Sequence, residues 1–123
     1  MRTGNKIKVL IVDDSAVFRE MAARGIAAAP GMEVVSAAAD PYEARDQILQ
    51  HHPDVMICDV HLPKMNGIEF LRRLLPQYPL PVIVVSAAGS AVFDALSAGA
   101  VDFIAKPEAR KGGTGERFIE ELI

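Results

Sequence analysis

The chain has 123 residues, half of them hydrophobic and 24% charged, with a formal net charge of −3. That length suits one domain built on a single core, and the composition is that of an ordinary water-soluble domain. The acidic balance and the lack of any basic run argue against direct nucleic-acid binding. No apolar run approaches the length of a membrane span, and the N-terminal Met1-Arg2-Thr3-Gly4-Asn5-Lys6 has no signal-type apolar core. One cysteine, Cys58, rules out a disulfide framework and predicts a reducing, cytoplasmic setting with a small buried thiol.

Strand-like and helix-like stretches alternate along the whole length, which predicts an α/β fold with a parallel sheet covered by helices on both faces. The first strand, Ile7 to Val12, is apolar apart from Lys8 and ends at the adjacent pair Asp13 and Asp14. Ser15 then caps a helix in which Phe18, Met21, Ala22, Gly25 and Ile26 share one face. Pro30-Gly31 breaks the pattern before a short second strand, Met32 to Ser36, which reads as a sheet edge. Asp40-Pro41-Tyr42-Glu43 is a helix start with an N-cap, a proline at the first helical position and a capping-box glutamate. That helix runs to His51-His52, whose side chains suit a helix C-terminus better than a metal.

A third strand, Asp54 to Cys58, ends at Asp59. The turn Leu62-Pro63-Lys64-Met65-Asn66-Gly67 feeds a helix carrying Ile68, Leu71, Leu74 and Leu75, with Asn66 and Glu69 as a second capping box. The fourth strand, Val82 to Val85, is the most apolar run and ends at Ser86. A short helix, Ser90 to Ala98, stops at Gly99, a left-handed cap. The fifth strand, Val101 to Ala105, delivers Lys106-Pro107. Past the glycine-rich link at Lys111 to Gly115, a last helix shows Phe118, Ile119, Leu122 and Ile123 on one face and stops in mid-pattern. Residues 1–123 therefore read as one domain, the N-terminal part of a longer protein with its last helix truncated.

Right-handed crossovers bring all these strand ends to one edge of the sheet, where open α/β sheets bind their ligands. Three carboxylates gathered there repel one another, and a hard cation such as Mg²⁺ offsets that repulsion. The set supports phosphoryl transfer onto a carboxylate. Asp13 and Asp14 would hold the metal, Asp59 would be the nucleophile, Lys106 would pair with a phosphoryl oxygen and Ser86 would hydrogen-bond another.

Val12-Asp13-Asp14-Ser15, Asp59 followed by Leu62-Pro63-Lys64-Met65-Asn66-Gly67, Ser86-Ala87 and Ala98-Gly99-Ala100-Val101-Asp102-Phe103-Ile104-Ala105-Lys106-Pro107 together resemble the receiver domain of two-component response regulators. The wording at both ends is most similar to the regulatory domain of chemotaxis-type protein-glutamate methylesterases. The resemblance implies a flavodoxin-like, five-stranded parallel sheet in the order 2-1-3-4-5, and a histidine kinase that donates its phosphoryl group to Asp59. It also implies Mg²⁺ (or Mn²⁺) held by Asp13, Asp14, Asp59 and the backbone carbonyl of His61. It implies a switch pair, Ser86 and Phe103, and a cis bond before Pro107. The expected partners are that kinase and an output domain or target protein, with no direct nucleic-acid or membrane contact. By itself this chain would be a regulatory phosphoacceptor, while the full-length protein would be the methylesterase.

Some positions depart from the family pattern. The span from Ser86 to Gly99 is shorter than usual, which alters the loop and first turn of the fourth helix. Asn66 stands for a common aspartate and caps a helix equally well. His61 and Ala88 flank the site at variable positions that tune the lifetime of the acyl phosphate. Any one of the polar strand ends taken singly would read as a cap or a solvated turn. Other readings of the whole set are a stand-alone single-domain regulator, a docking module that is never phosphorylated, and a flavodoxin-like cofactor binder. Retention of Asp13, Asp14, Asp59 and Lys106 disfavours the docking module, and an acidic pocket disfavours an anionic cofactor.

Overall fold

Largely apolar runs are stable as strands where both faces of a sheet are covered. The computed structural model describes residues 6–86 and 92–105, and within them these runs form five strands: β1 (Ile7–Val12), β2 (Met32–Ala38), β3 (Val55–Asp59), β4 (Val82–Ser86) and β5 (Asp102–Ala105). All pair in parallel, in the order β2-β1-β3-β4-β5. The helices are α1 (Ala16–Ala27), α2 (Pro41–His51), α3 (Gly67–Leu74) and α4 (Val92–Ser97).

The two-residue period of a strand sends alternate side chains to opposite faces, and two cores result. Val9 and Ile11 of β1 pack with Ile57, Val85, Ile104 and the α1 residues Phe18, Ala22 and Ile26. Leu10 and Val12 pack on the other face with Met56, Cys58, Val82 and Val84, against α2, α3 and α4 through Ala44, Ile48, Ile68, Leu71 and Ala95. The sheet therefore has helices on both faces, and β2 is an edge strand as its sequence predicts.

The caps form where the side chains predict them, with differences in detail. Ser15 Oγ accepts from the Phe18 amide at 3.2 Å, and Asp40 Oδ1 accepts from the Tyr42 and Glu43 amides at 2.9 Å each. Glu43 reaches back one residue further than the capping box requires, to the Ala39 amide at 3.1 Å. Asn66 Oδ1 accepts from Ile68 at 2.8 Å, while Glu69 pairs with Arg73 and leaves that box half made. Gly99 has a φ of 111°, as a left-handed cap requires.

β2 runs two residues beyond its predicted end. The alanines Ala37 and Ala38 have weak strand preference but are held by pairing with Ile11 and Val12. β3 takes in Asp59, whose partner is Val85. The last helix, its truncation and Ser90 lie outside the described residues.

Candidate functional site

The strand order decides which polar ends meet. Because β3 lies beside β1 with Val12 paired to Cys58, the residues that follow, Asp13 and Asp59, end on neighbouring strands. Asp13 is fully buried, Asp59 is buried and Asp14 is exposed. One carboxylate oxygen from each of the three lies within 4.8 Å of the others. Three carboxylates so close repel unless charge of the opposite sign is near.

Local structure holds the pair after β1 in place. The Asp13 amide donates to the Ala38 carbonyl at 3.0 Å, and Asp13 Oδ1 accepts from the Ser15 amide at 2.8 Å. The carbonyl of Asp13 accepts from Arg19 Nη1 at 2.6 Å. The sequence does not single out Arg19, because its partner is a backbone carbonyl and leaves no side-chain pattern to read. The N-terminus of α1, with no acidic residue in its first turn, faces its positive end toward the aspartates that precede it.

After β3 the chain turns tightly over the site. The Val60 amide donates to Val85 at 3.2 Å, and the Gly67 amide donates to the Val60 carbonyl at 2.7 Å. A Cβ on Gly67 would overlap the backbone carbonyl of Asp59, so only glycine permits this closure. His61 is exposed at the start of the turn. Cys58 is buried beneath it; burial pushes its thiol far above the ordinary range, with the charges of Asp59 and Asp13 adding to the effect. It stays protonated and unreactive.

Ser86 is fully buried at the end of β4 and pairs with Ala105, the residue before Lys106 in the chain. Phe103 lies on β5 opposite Val84, partly buried against the α2–α4 core. The geometry thus gathers Asp13, Asp14 and Asp59 at one point and sets Ser86 at the end of the next strand. Lys106, the bond before Pro107 and Ala88 lie outside the described residues. An apolar groove of about 400 Å³ between α2 and α3, floored by Ile48, Phe70 and Leu74, has no carboxylate in its lining.

As a donor set, three carboxylates offer hard oxygen ligands, and they suit a divalent hard cation and not a soft one. No helix among the described residues is long and apolar enough to cross a membrane.

Comparison with known proteins agrees with this architecture. Residues 9–113 match the response regulator receiver domain. A protein-glutamate methylesterase/protein-glutamine glutaminase from Syntrophomonas wolfei is 57% identical over 118 residues, which cover 96% of this chain and 35% of that protein. The chain thus spans about a third of the length of the first relatives it matches. The response regulator domain of Thermotoga maritima CheB superposes with a TM-score of 0.85 at 38% identity, covering 96% of this chain and 91% of that one. CheY in a CheX-CheY-BeF3-Mg²⁺ complex from Borrelia burgdorferi superposes with a TM-score of 0.75 at 34% identity, covering 98% of this chain and 92% of that one. An acidic cluster at the carboxyl ends of β1 and β3, on a parallel sheet in this order, is the arrangement that Mg-dependent aspartate phosphorylation and switching use, and the chain belongs to the response regulator receiver domain family.

Proposed function

We propose that Asp59 is the phosphoacceptor, taking a phosphoryl group from the phosphohistidine of a sensor kinase. The meeting of Asp13, Asp14 and Asp59 within 4.8 Å carries this reading. Asp13, Asp14, Asp59 and the backbone carbonyl of His61 would hold Mg²⁺ or Mn²⁺, which when bound neutralises charge on the phosphoryl oxygens. An oxygen of Asp59 attacks phosphorus, the new P–O bond forms as the P–N bond breaks, and the imidazole departs. Lys106 pairs with one phosphoryl oxygen and Ser86 donates its hydroxyl to another. Ser86 and Phe103 then form the switch that carries the change to the α4–β5 side.

The complex of the Borrelia relative with BeF3 and Mg²⁺ supports a metal-dependent phosphoryl site. The relatives' names support a chemotaxis-type methylesterase as the output, with residues 1–123 as one regulatory domain of a longer cytoplasmic protein. An open frame beyond Ile123 that encodes a Gly-x-Ser-x-Gly-like segment is the expected finding. A stop codon there would leave the stand-alone regulator.

Acetyl phosphate with Mg²⁺ is expected to label the protein once, detected as an acid-stable, base-labile mass increase. Asp59→Asn is expected to abolish the label. Undiminished labelling of that variant would overturn the assignment.

A further inference from the structure

The loop between β3 and α3 carries a lysine where the backbone disfavours one. Lys64 has a φ of 71°, a left-handed conformation that costs a residue with a Cβ about 1 kcal/mol or more. Glycine or asparagine is the ordinary choice at such a position. What lysine adds is a charged tether. Its Nζ lies 3.2 Å from Asp40 Oδ2 and 6.0 Å from the centroid of the Tyr42 ring. Asp40 is 8% exposed and already fixed as the N-cap of α2. Hydrogen bonds from the backbone, that of Glu43 foremost, together with Lys64 hold its carboxyl below the usual value, so it is anionic at neutral pH.

The topology gives this contact its reach. Asp40 follows β2 and Lys64 follows β3, and β1 lies between those strands. The ion pair therefore joins the loops on either side of the strand end that carries Asp13 and Asp14. The tethered loop begins directly at Asp59 and closes on itself through the Met65 amide to Pro63 and the Gly67 amide to Val60.

We propose that Lys64 and Asp40 are positioning residues for the divalent-cation site, a strap that holds the loop after Asp59 in the conformation cation binding requires. This rests on the metal-dependent reading of the acidic cluster. The pair touches neither substrate nor cation and acts through the loop.

Charge and geometry make opposite demands on the variants. Removing Lys64 alone makes the region more negative and removing Asp40 alone makes it less so; a purely electrostatic role would shift Mg²⁺ affinity in opposite directions. Loss of a strap weakens binding in both. Lys64 is 61% exposed, so the pair itself is modest and the expected loss is about threefold to fivefold.

The test is Mg²⁺ titration of the whole chain, followed by amide chemical shifts, for wild type, Lys64→Gln, Asp40→Asn and the double variant. Asparagine caps a helix as well as aspartate, so α2 is retained. Each single variant is expected to bind Mg²⁺ about threefold more weakly, and the double variant no more weakly than either. Lys64→Gly relieves the left-handed strain and is expected to raise the unfolding midpoint above that of Lys64→Gln, yet still to bind Mg²⁺ weakly. A merely structural lysine would leave the affinity of Lys64→Gly at the wild-type value.

Equal affinities throughout, additive losses, or opposite shifts in the two single variants would overturn the strap alone. Absence of saturable shifts at Asp13, Asp14 and Asp59 in wild type would overturn the cation reading, and the strap with it.

Discussion

The two edges of the sheet treat charge in opposite ways. At the amino edge, the Lys8 amide donates to Asp54 Oδ2 at 2.8 Å, and Lys8 Nζ donates to the His51 carbonyl at 3.2 Å in the last turn of α2. A cation there complements the helix dipole. At the carboxyl edge, Asp13, Asp14 and Asp59 are crowded together beside the N-termini of α1 and α3, and two of the three are buried. One edge places opposite charges where they stabilise the fold, and the other holds like charges in readiness for a cation. The carboxyl edge also has stabilising contacts, the Lys64–Asp40 pair and the helix caps of Ser15, Asp40 and Asn66. There the contacts that hold the fold and the groups suited to chemistry lie side by side.

Three substitutions test that contrast. Gly67→Ala should have the largest effect, because the new Cβ meets the carbonyl of Asp59, a backbone atom that cannot yield cheaply. A loss of about 3 kcal/mol in unfolding free energy is expected from urea denaturation, with the loop after β3 displaced. Asp14→Asn should act with the opposite sign. Removing one of three crowded charges is expected to stabilise the metal-free protein by about 1 kcal/mol, and to erase most of the extra stability that MgCl2 confers on wild type. If Asp14→Asn proved less stable than wild type without metal, the carboxyl edge would not be a store of repulsion. At the amino edge, Asp54→Ala is expected to lower stability by at most about 1 kcal/mol through the lost hydrogen bond to Lys8. Its Mg²⁺ affinity and acetyl phosphate labelling should match wild type, and a change in either would show that the two edges are coupled.

Much of this was legible in the sequence because it is written locally. Ser15, Asp40 and Asn66 each declare a helix start, since a short polar side chain can satisfy an amide two or three residues on. The apolar runs declare strands, and the aspartates at the ends of two of them declare an acidic edge. The reach of Glu43 to Ala39 and the extension of β2 through Ala38 were not legible, because they depend on where a neighbouring strand runs and not on the residues themselves.

By itself, then, the sequence determined the alternation of strands and helices, their caps and the chemical types at the strand ends, all set by interactions within a few residues. The family resemblance supplied the strand order. Only the tertiary structure decided that Asp13 and Asp59 converge to within 4.8 Å, that Gly67 must lack a Cβ, and that Arg19 and Lys64 serve the site from outside it. The Asp13–Asp59 and Lys64–Asp40 contacts join positions far apart in the chain, whose distance is fixed by packing of the two cores and not by spacing. Arg19 and Gly67 act within single strand-to-helix connections whose conformation that packing selects.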